Sequence, residues 1–388
     1  MKNNKEINME NKIKAEIVTH SKRRSTGEEI ITYKLTFPRI ILSEVNTYKM
    51  MEKNTSSSRA IPFEKMVEVV EKEPFIPIAW QLQHRGMQGN EYITNPYVIE
   101  KKKGYWLDAR DKAITATSDL VRSEIKGTHY EQNEDGSFKE KSVTLISNST
   151  VTKQLANRLL EPFMWTTQLI TGTRESFEHL FEQRCPIYNV ENLKFNSKKE
   201  ALELYPHLKD MTDLEWLQCN SGQAEIHFMD LAEKMYDALN ESTPDELYDE
   251  EWHVPFKEEI LKDKETKGIK DFEDLVKMSC AMTARISYTK IGDENTLTLE
   301  QAKRIYDKCK EQGHFSVFGH IAKCMTNEEY RSWYKGYVPT KTITNSEGKE
   351  STMLEINSFV KARGYNKNLK GFISLRQYIE DDVELKDA

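Results

Sequence analysis

Apolar and polar residues alternate over Ala15–His20 and run apolar with β-branched residues over Ile30–Pro38, and Ser25-Thr26-Gly27 lies between the two stretches. That pattern predicts a β-hairpin whose second arm continues as an apolar run towards Val45. Helical spacing follows at Phe63–Glu71, which Pro74 and Pro77 stop. It returns over Tyr105–Ile125, with Trp106, Ala109, Ala113, Ala116 and Leu120 on one face. Gly127–Lys141, with Asn133-Glu134-Asp135-Gly136, predicts a polar insertion or hairpin tip. Val151–Phe163 and Trp165–Ile170 predict buried helix broken at Pro162, and Phe177–Gln183 predicts a helix that delivers Arg184. Asn192–Cys219 is charged and partly helical; Gln223–Leu239 is amphipathic, with Ile226, Phe228, Leu231, Ala232, Met235 and Leu239 as its stripe. Phe272–Ser287 and Leu299–Gln312 predict two further helices, and Phe372–Leu375 a strand. Together these elements predict an α+β fold: a twisted, mainly antiparallel sheet carrying Ile30–Val45, packed with long helices.

The 388 residues are enough for one large domain or two ordinary ones. Residues 1–12 are Asn/Lys/Glu-rich and are expected to fray. No apolar run approaches the roughly 18 residues of a membrane span. A net charge of −7 argues against broad, non-specific binding of nucleic acid and leaves room for a local basic site. Five scattered cysteines without a C-x-x-C pair fit free thiols in a reducing cytoplasm. No metal motif, Walker loop or G-x-G-x-x-G is present, and no cysteine or serine is placed with a base as a nucleophile.

Candidate chemistry begins at Asn54-Thr55-Ser56-Ser57-Ser58-Arg59-Ala60-Ile61-Pro62. Short hydroxyl side chains let backbone N–H groups approach an anion, and a guanidinium grips two phosphate oxygens at once. The same residues would equally serve as the N-cap of the helix that follows. Lys49, Arg59, Arg158, Arg174 and Arg184 supply enough positive charge for one or two phosphates, with His179 nearby. Arg158 lies in an otherwise apolar helical stretch, where an unpaired charge is costly. Pairing of Arg158 and Arg184 with Glu161, Glu182 or Glu225 is the structural alternative. In His314-x-Ser316-x-Phe318-x-His320 the even spacing puts four side chains on one side of a strand or extended loop. Such histidines either hydrogen-bond a cofactor or serve the core.

These blocks resemble the flavin-dependent thymidylate synthases (ThyX). The family signature R-H-R-x-x-S-x-N-E-x-S-x-R-Y falls on Thr47–Ala60, where Asn54, Ser57 and Arg59 match and Lys49 keeps a positive charge. The first Arg, the His, the Ser, the Glu and the final Tyr are replaced. Ala284-Arg285-Ile286-Ser287-Tyr288 is similar to the family's A-R-V-S-Y, and Gly313–His320 to its G-H-x-S/T-P-F-E-H. Phe177–Arg184 followed by Gly222-Gln223-Ala224-Glu225-Ile226 is similar to its helix ending in L-R and then A-Q-W-E-I. The two blocks that open the family's sequence stand last here, which implies a rotated order within a single domain over 13–388, with insertions at 127–142 and 192–220.

The resemblance implies a homotetramer that binds FAD and dUMP. In such enzymes reduced flavin passes a methylene group from methylenetetrahydrofolate to C5 of the uracil, and NADPH reduces the flavin. Carried over residue by residue, Ser57, Arg59 and Arg158 would bind the nucleotide phosphate. Glu44 would be substrate-binding, at a position the family fills with Gln, and Arg184 would be the catalytic residue that polarises the pyrimidine. Lys49, Asn54, His179, His314, Ser316 and His320 would hold the cofactor. The departures fall on the flavin side, at Thr47-Tyr48-Lys49 and at Gly319, which replaces a Glu. The expected activity is thus methylation or hydroxymethylation of a pyrimidine nucleotide. Two alternatives stay open: modification of a pyrimidine within nucleic acid, and a non-catalytic nucleotide-binding or assembly protein on the same scaffold.

Overall fold

The computed structural model describes residues 11–85, 89–122, 124–146, 150–288, 297–335, 337–344, 348–356 and 368–380. The tail expected at the N-terminus and the acidic C-terminal end lie largely outside them. The architecture is α+β, as the periodicity predicts. A five-stranded sheet runs in the order Glu52–Thr55, Trp165–Thr173, Glu29–Pro38, Lys14–Arg23, Asp245–Leu247. All pairings are antiparallel except the last, where Asp245–Leu247 lies parallel to the first strand.

The predicted hairpin is there: Lys14–Arg23 pairs with Glu29–Pro38, with Gly27 at φ 85° in the turn. Its continuation to Val45 is not extended but forms short helical turns over Arg39–Ile41 and Leu42–Val45. The largest correction concerns Trp165–Ile170, read as helix: Trp165–Thr173 is an interior strand of the sheet, between Glu52–Thr55 and Glu29–Pro38. A strand covered on both faces loses its period-two alternation, and only its β-branched residues, Thr166, Thr167, Ile170, Thr171 and Thr173, mark it. Val151–Phe163 is likewise not one helix but a single α-turn, Lys153–Ala156, followed by a 3₁₀ stretch, Asn157–Phe163, that contains Pro162. The long helix starts nine residues before its expected position. Asn95 accepts hydrogen bonds from the amides of Tyr97 (3.0 Å) and Val98 (3.3 Å), and Pro96 opens Pro96–Val121. Glu124–Gln132 and Phe138–Ile146 then pair as a hairpin.

Adjacent residues of the interior strand Trp165–Thr173 separate the two cores. Ile170 joins Tyr33, Phe37, Met51, Phe177, Phe181, Phe228, Leu231 and Met235 under the helices Arg174–Arg184 and Ile226–Glu241. Leu169 faces the helices Phe272–Tyr288 and Leu299–Glu311, with Val254, Ile260, Val276, Ala281 and Phe318. A second, three-stranded sheet (Trp252–His253, Ala322–Cys324, Phe372–Ser374) closes the end of the first through Ile30, Leu247, Ala322 and Phe372. The acidic 243–255 stretch therefore contributes a strand to each sheet. Among the described residues, no helix is long and apolar enough to cross a membrane.

Candidate functional site

The edge strand Glu52–Thr55 sends alternate side chains to the two faces of the sheet, and the candidate residues divide accordingly. On the face of the Arg174–Arg184 helix, the 47–51 loop and that helix enclose a cleft of about 700 Å³. Tyr48, Lys49, Met50 and Met51 line one side, Ser176, His179 and Gln183 the other, and Lys370 its rim. The helix starts at Thr173, whose hydroxyl accepts from the amide of Ser176 (3.3 Å). That start sets His179, Gln183 and Arg184 towards the loop, where they form one hydrogen-bonded line. Arg184 Nε donates to the Tyr48 hydroxyl (2.8 Å), which donates to Gln183 Oε1 (2.9 Å), and Gln183 Nε2 donates to His179 Nε2 (3.1 Å).

The Arg184 guanidinium lies over the rings of Phe228 (5.2 Å) and Tyr48 (5.7 Å). Its Nη groups have no hydrogen-bond partner among the described residues and remain available as a planar fork. Burial and the neighbouring Glu225 push the carboxyl of half-buried Glu44 above the usual range, and Arg184 opposes the shift. Glu225 caps the Ile226–Glu241 helix by accepting from the amides of His227 (2.8 Å) and Phe228 (3.0 Å). Arg184 thus meets Tyr48, not the Glu182 or Glu225 weighed as structural partners. Lys53, which the sequence reading passed over, donates to the Tyr48 carbonyl, and burial lowers its amine to about 8.

On the opposite face, Asn54 joins the two distant motif blocks. It donates to the Thr283 carbonyl (2.7 Å), just ahead of Ala284–Tyr288, and accepts from the Ser316 hydroxyl (3.1 Å). The amide of Ser57 donates to the Ser287 carbonyl (3.2 Å). Phe315–Phe318 is a 3₁₀ turn, not the extended run expected, so the even spacing does not align its side chains: His314 is exposed and His320 fully buried. His320 ends a buried chain of hydrogen bonds. Ser21 Oγ meets His253 Nδ1 (2.9 Å), His253 Nε2 meets Thr32 Oγ1 (2.8 Å), Thr32 meets Thr171 Oγ1 (2.7 Å), and Thr171 meets His320 Nδ1 (2.8 Å). His320 Nε2 has no partner among the described residues. Burial holds both imidazoles neutral, each lowered to about 3.

Gly319, where the resemblance expects a glutamate, is small for a visible reason. A Cβ there would lie 2.5 Å from Glu52 Oε2 and 2.7 Å from its carboxyl carbon. Glu52 thus lays its carboxylate against Gly319, 4.0 Å from Arg376, with its carboxyl raised by burial against the opposing pull of Arg376. Gly319→Ala is expected to destabilise the protein by about 1–3 kcal/mol through overpacking. Adding Glu52→Ala should recover part of the loss, as measured by denaturant midpoints in a double-mutant cycle. Strictly additive losses would mean that the two residues do not share this space.

The 56–61 loop is held by side chains and does not cap the next helix. Pro62 occupies the cap position of Phe63–Lys72 with no side-chain hydrogen bond. The Ser58 hydroxyl donates to Glu161 (2.7 Å), Asn157 donates to the carbonyls of Ser58 (2.9 Å) and Ile61 (3.1 Å), and Arg39 donates to the Ser56 carbonyl (3.0 Å). Arg158, expected in a buried helix, points outward with Arg59, because the 3₁₀ geometry turns it away from the core. Its guanidinium is 4.0 Å from Glu161, one of the partners weighed for it, and Glu161 also meets Arg39 (3.1 Å). Ser57, Arg59 and Arg158 are therefore on one edge of the molecule, and Arg184, Glu44, Lys49 and His179 are on the other face of the strand.

No family model matches this chain, and no curated protein does. Among solved structures it is similar to the UMP/dUMP methylase PolB from Streptomyces cacaoi. With 5-Br UMP bound to that protein, the TM-score is 0.37 at 11% identity, over 59% of this chain and 89% of that one. With 5-Br dUMP bound, the TM-score is 0.36 at 10% identity, over 58% and 89%.

Proposed function

We propose that this protein transfers a one-carbon unit to C5 of a pyrimidine nucleotide such as dUMP, as a flavin-dependent enzyme. The observation that carries the reading is the meeting at Asn54 and Ser57 of blocks that are more than 220 residues apart in the chain, next to Thr283, Ser287 and Ser316. A rotated motif order makes sense only if those blocks share one site. The donor set also suits a ring-bearing anion. Lys49 and His179 offer cationic or polar groups, Lys370 does so while paired with Glu175 (3.7 Å), Tyr48, Met50 and Met51 offer apolar surface, and the cleft has the size of a small-molecule site. Bound there, FAD would supply hydride chemistry and carry the one-carbon unit, with NADPH and methylenetetrahydrofolate as co-substrates.

The chain's own residues then take definite roles. The Arg184 fork holds a pyrimidine carbonyl and stabilises the negative charge that develops as C5 becomes nucleophilic. Tyr48 and Gln183 fix the guanidinium plane. Ser57, Arg59 and Arg158 take the phosphate, and because they lie across the strand from Arg184, a complete site draws them from a neighbouring subunit of a homo-oligomer, a tetramer in this reading. The test is the absorbance spectrum of purified protein, repeated with added FAD with and without dUMP. A flavin spectrum that responds to dUMP is expected. Absence of flavin under every condition would overturn the enzyme reading in favour of a nucleotide-binding scaffold.

A further inference from the structure

The Ile226–Glu241 helix is buried on two opposite sides. Phe228, Leu231, Ala232 and Met235 enter the sheet core, while Ile226, Met229, Asp230 and Glu233, spaced by three and four, line a separate cavity of about 550 Å³. Trp80 and Trp165 form its other apolar walls, with the segment Pro74–Trp80 on one side and the helix Asp213–Cys219 on the other. The side chain of His227 fastens that first segment in place by accepting from the amide of Ile78 (3.1 Å).

The lysines there already have carboxylates: Lys198 with Asp213 (2.9 Å), Lys234 with Asp230, and Lys103 with Glu100 (3.5 Å). Glu233, only 6% exposed, has no cation within ion-pair distance among the described residues. It is held by neutral donors alone, the amide of Lys198 to Oε1 (2.7 Å) and the hydroxyl of Tyr188 to Oε2 (2.8 Å). Each oxygen keeps a lone pair, and burial pushes the carboxyl up. A partly aromatic chamber whose wall carries one buried carboxyl group without an ion-pair partner, on which Lys198 acts only at longer range, is complementary to a flat apolar ring that carries N–H donors.

We propose that this cavity is a binding site, separate from the cleft lined by Tyr48 and His179, for a small molecule consisting of an aromatic ring with an amidine-type or amino group, which Glu233 recognises. The experiment is titration of the intact protein with benzamidine, benzamide and benzoate, followed by calorimetry and by the shift in thermal midpoint. Benzamidine is expected to bind at least tenfold tighter than benzamide, and benzoate to show no binding, in keeping with a charge-assisted contact in a desolvated site. Glu233→Gln keeps the shape and the acceptor for the Lys198 amide, and should cost benzamidine tenfold or more. Ile93→Trp, which enlarges a side chain on the cavity wall, should abolish binding. Arg184→Ala should leave benzamidine binding unchanged, which keeps this test independent of the nucleotide reading. Equal affinity for benzamide and benzamidine, unchanged affinity in Glu233→Gln, or no binding of benzamidine by the folded wild-type protein would each overturn the proposal.

Discussion

Arg184→Ala should abolish the response of bound flavin to dUMP and lower turnover by about 10²–10³-fold, the usual loss when a donor aimed at developing negative charge is removed. The size follows from the surroundings. The half-buried guanidinium lies over the rings of Tyr48 and Phe228, which reduce its solvent contact and so strengthen its hydrogen bonds relative to bulk water. Arg184→Lys keeps the charge and loses the fork, and should recover binding better than turnover. Tyr48→Phe removes the acceptor that orients Nε without touching the Nη groups. A fall in kcat of about tenfold with little change in KM would mark Tyr48 as a positioning residue. Arg184→Ala also leaves Glu44 and Glu225 facing each other without the cation that offsets them, so thermal stability should fall. Lost stability with an unaltered response to nucleotide would make Arg184 structural and end its catalytic assignment.

Acidification from pH 7 to pH 5 should destabilise the protein by about 4 kcal/mol through His253 and His320 alone. Both titrate near 3 in the fold against an unfolded value of 6.5. The unfolded chain therefore gains two protons that the native state refuses. The contribution is complete above pH 6.5 and is lost as pH falls towards 3. Glu52 and Glu233, whose carboxyls are raised in the fold, act in the opposite sense by taking up protons natively before they do when unfolded, and they soften the slope. Urea midpoints at pH 7, 6 and 5 test this, with His253→Gln as the comparison. The variant should lose about half of the pH dependence, and an unchanged slope would show that the buried imidazoles do not set acid stability. Typical domain stabilities of 5–15 kcal/mol make such a loss visible without extreme pH.

Much of this architecture is written in the spacing of apolar residues. The hairpin and the amphipathic stripes of Gln223–Leu239 and Leu299–Gln312 are read directly, because each turns one continuous apolar face to a core. Trp165–Thr173 is misread because both of its faces are covered, and burial on two sides removes the period that distinguishes strand from helix. Asn54, Ser316 and Arg184 stand out through motif spacing. Glu52 and Lys53 do not, since their significance depends on Gly319 and Tyr48, contacts that form only when the chain folds. The second face of the Ile226–Glu241 helix escapes for a related reason: Asp230 and Glu233 mark it as solvent-facing until the 192–220 segment covers it.

The buried chain from Ser21 to His320 has a polarity as well as a path. Each hydroxyl owns one proton and each neutral imidazole one, so the direction of any single hydrogen bond dictates all the others. Only two arrangements exist. In one, Ser21 donates to His253 and the series ends with an N–H on His320 Nε2; in the other, every bond is reversed and Nε2 ends as a bare lone pair. Three strands of the sheet are thereby joined to the 315–320 turn as a two-state element, in which a change of partner at Ser21 reverses the donor or acceptor character of an atom beside Glu52's neighbour Gly319.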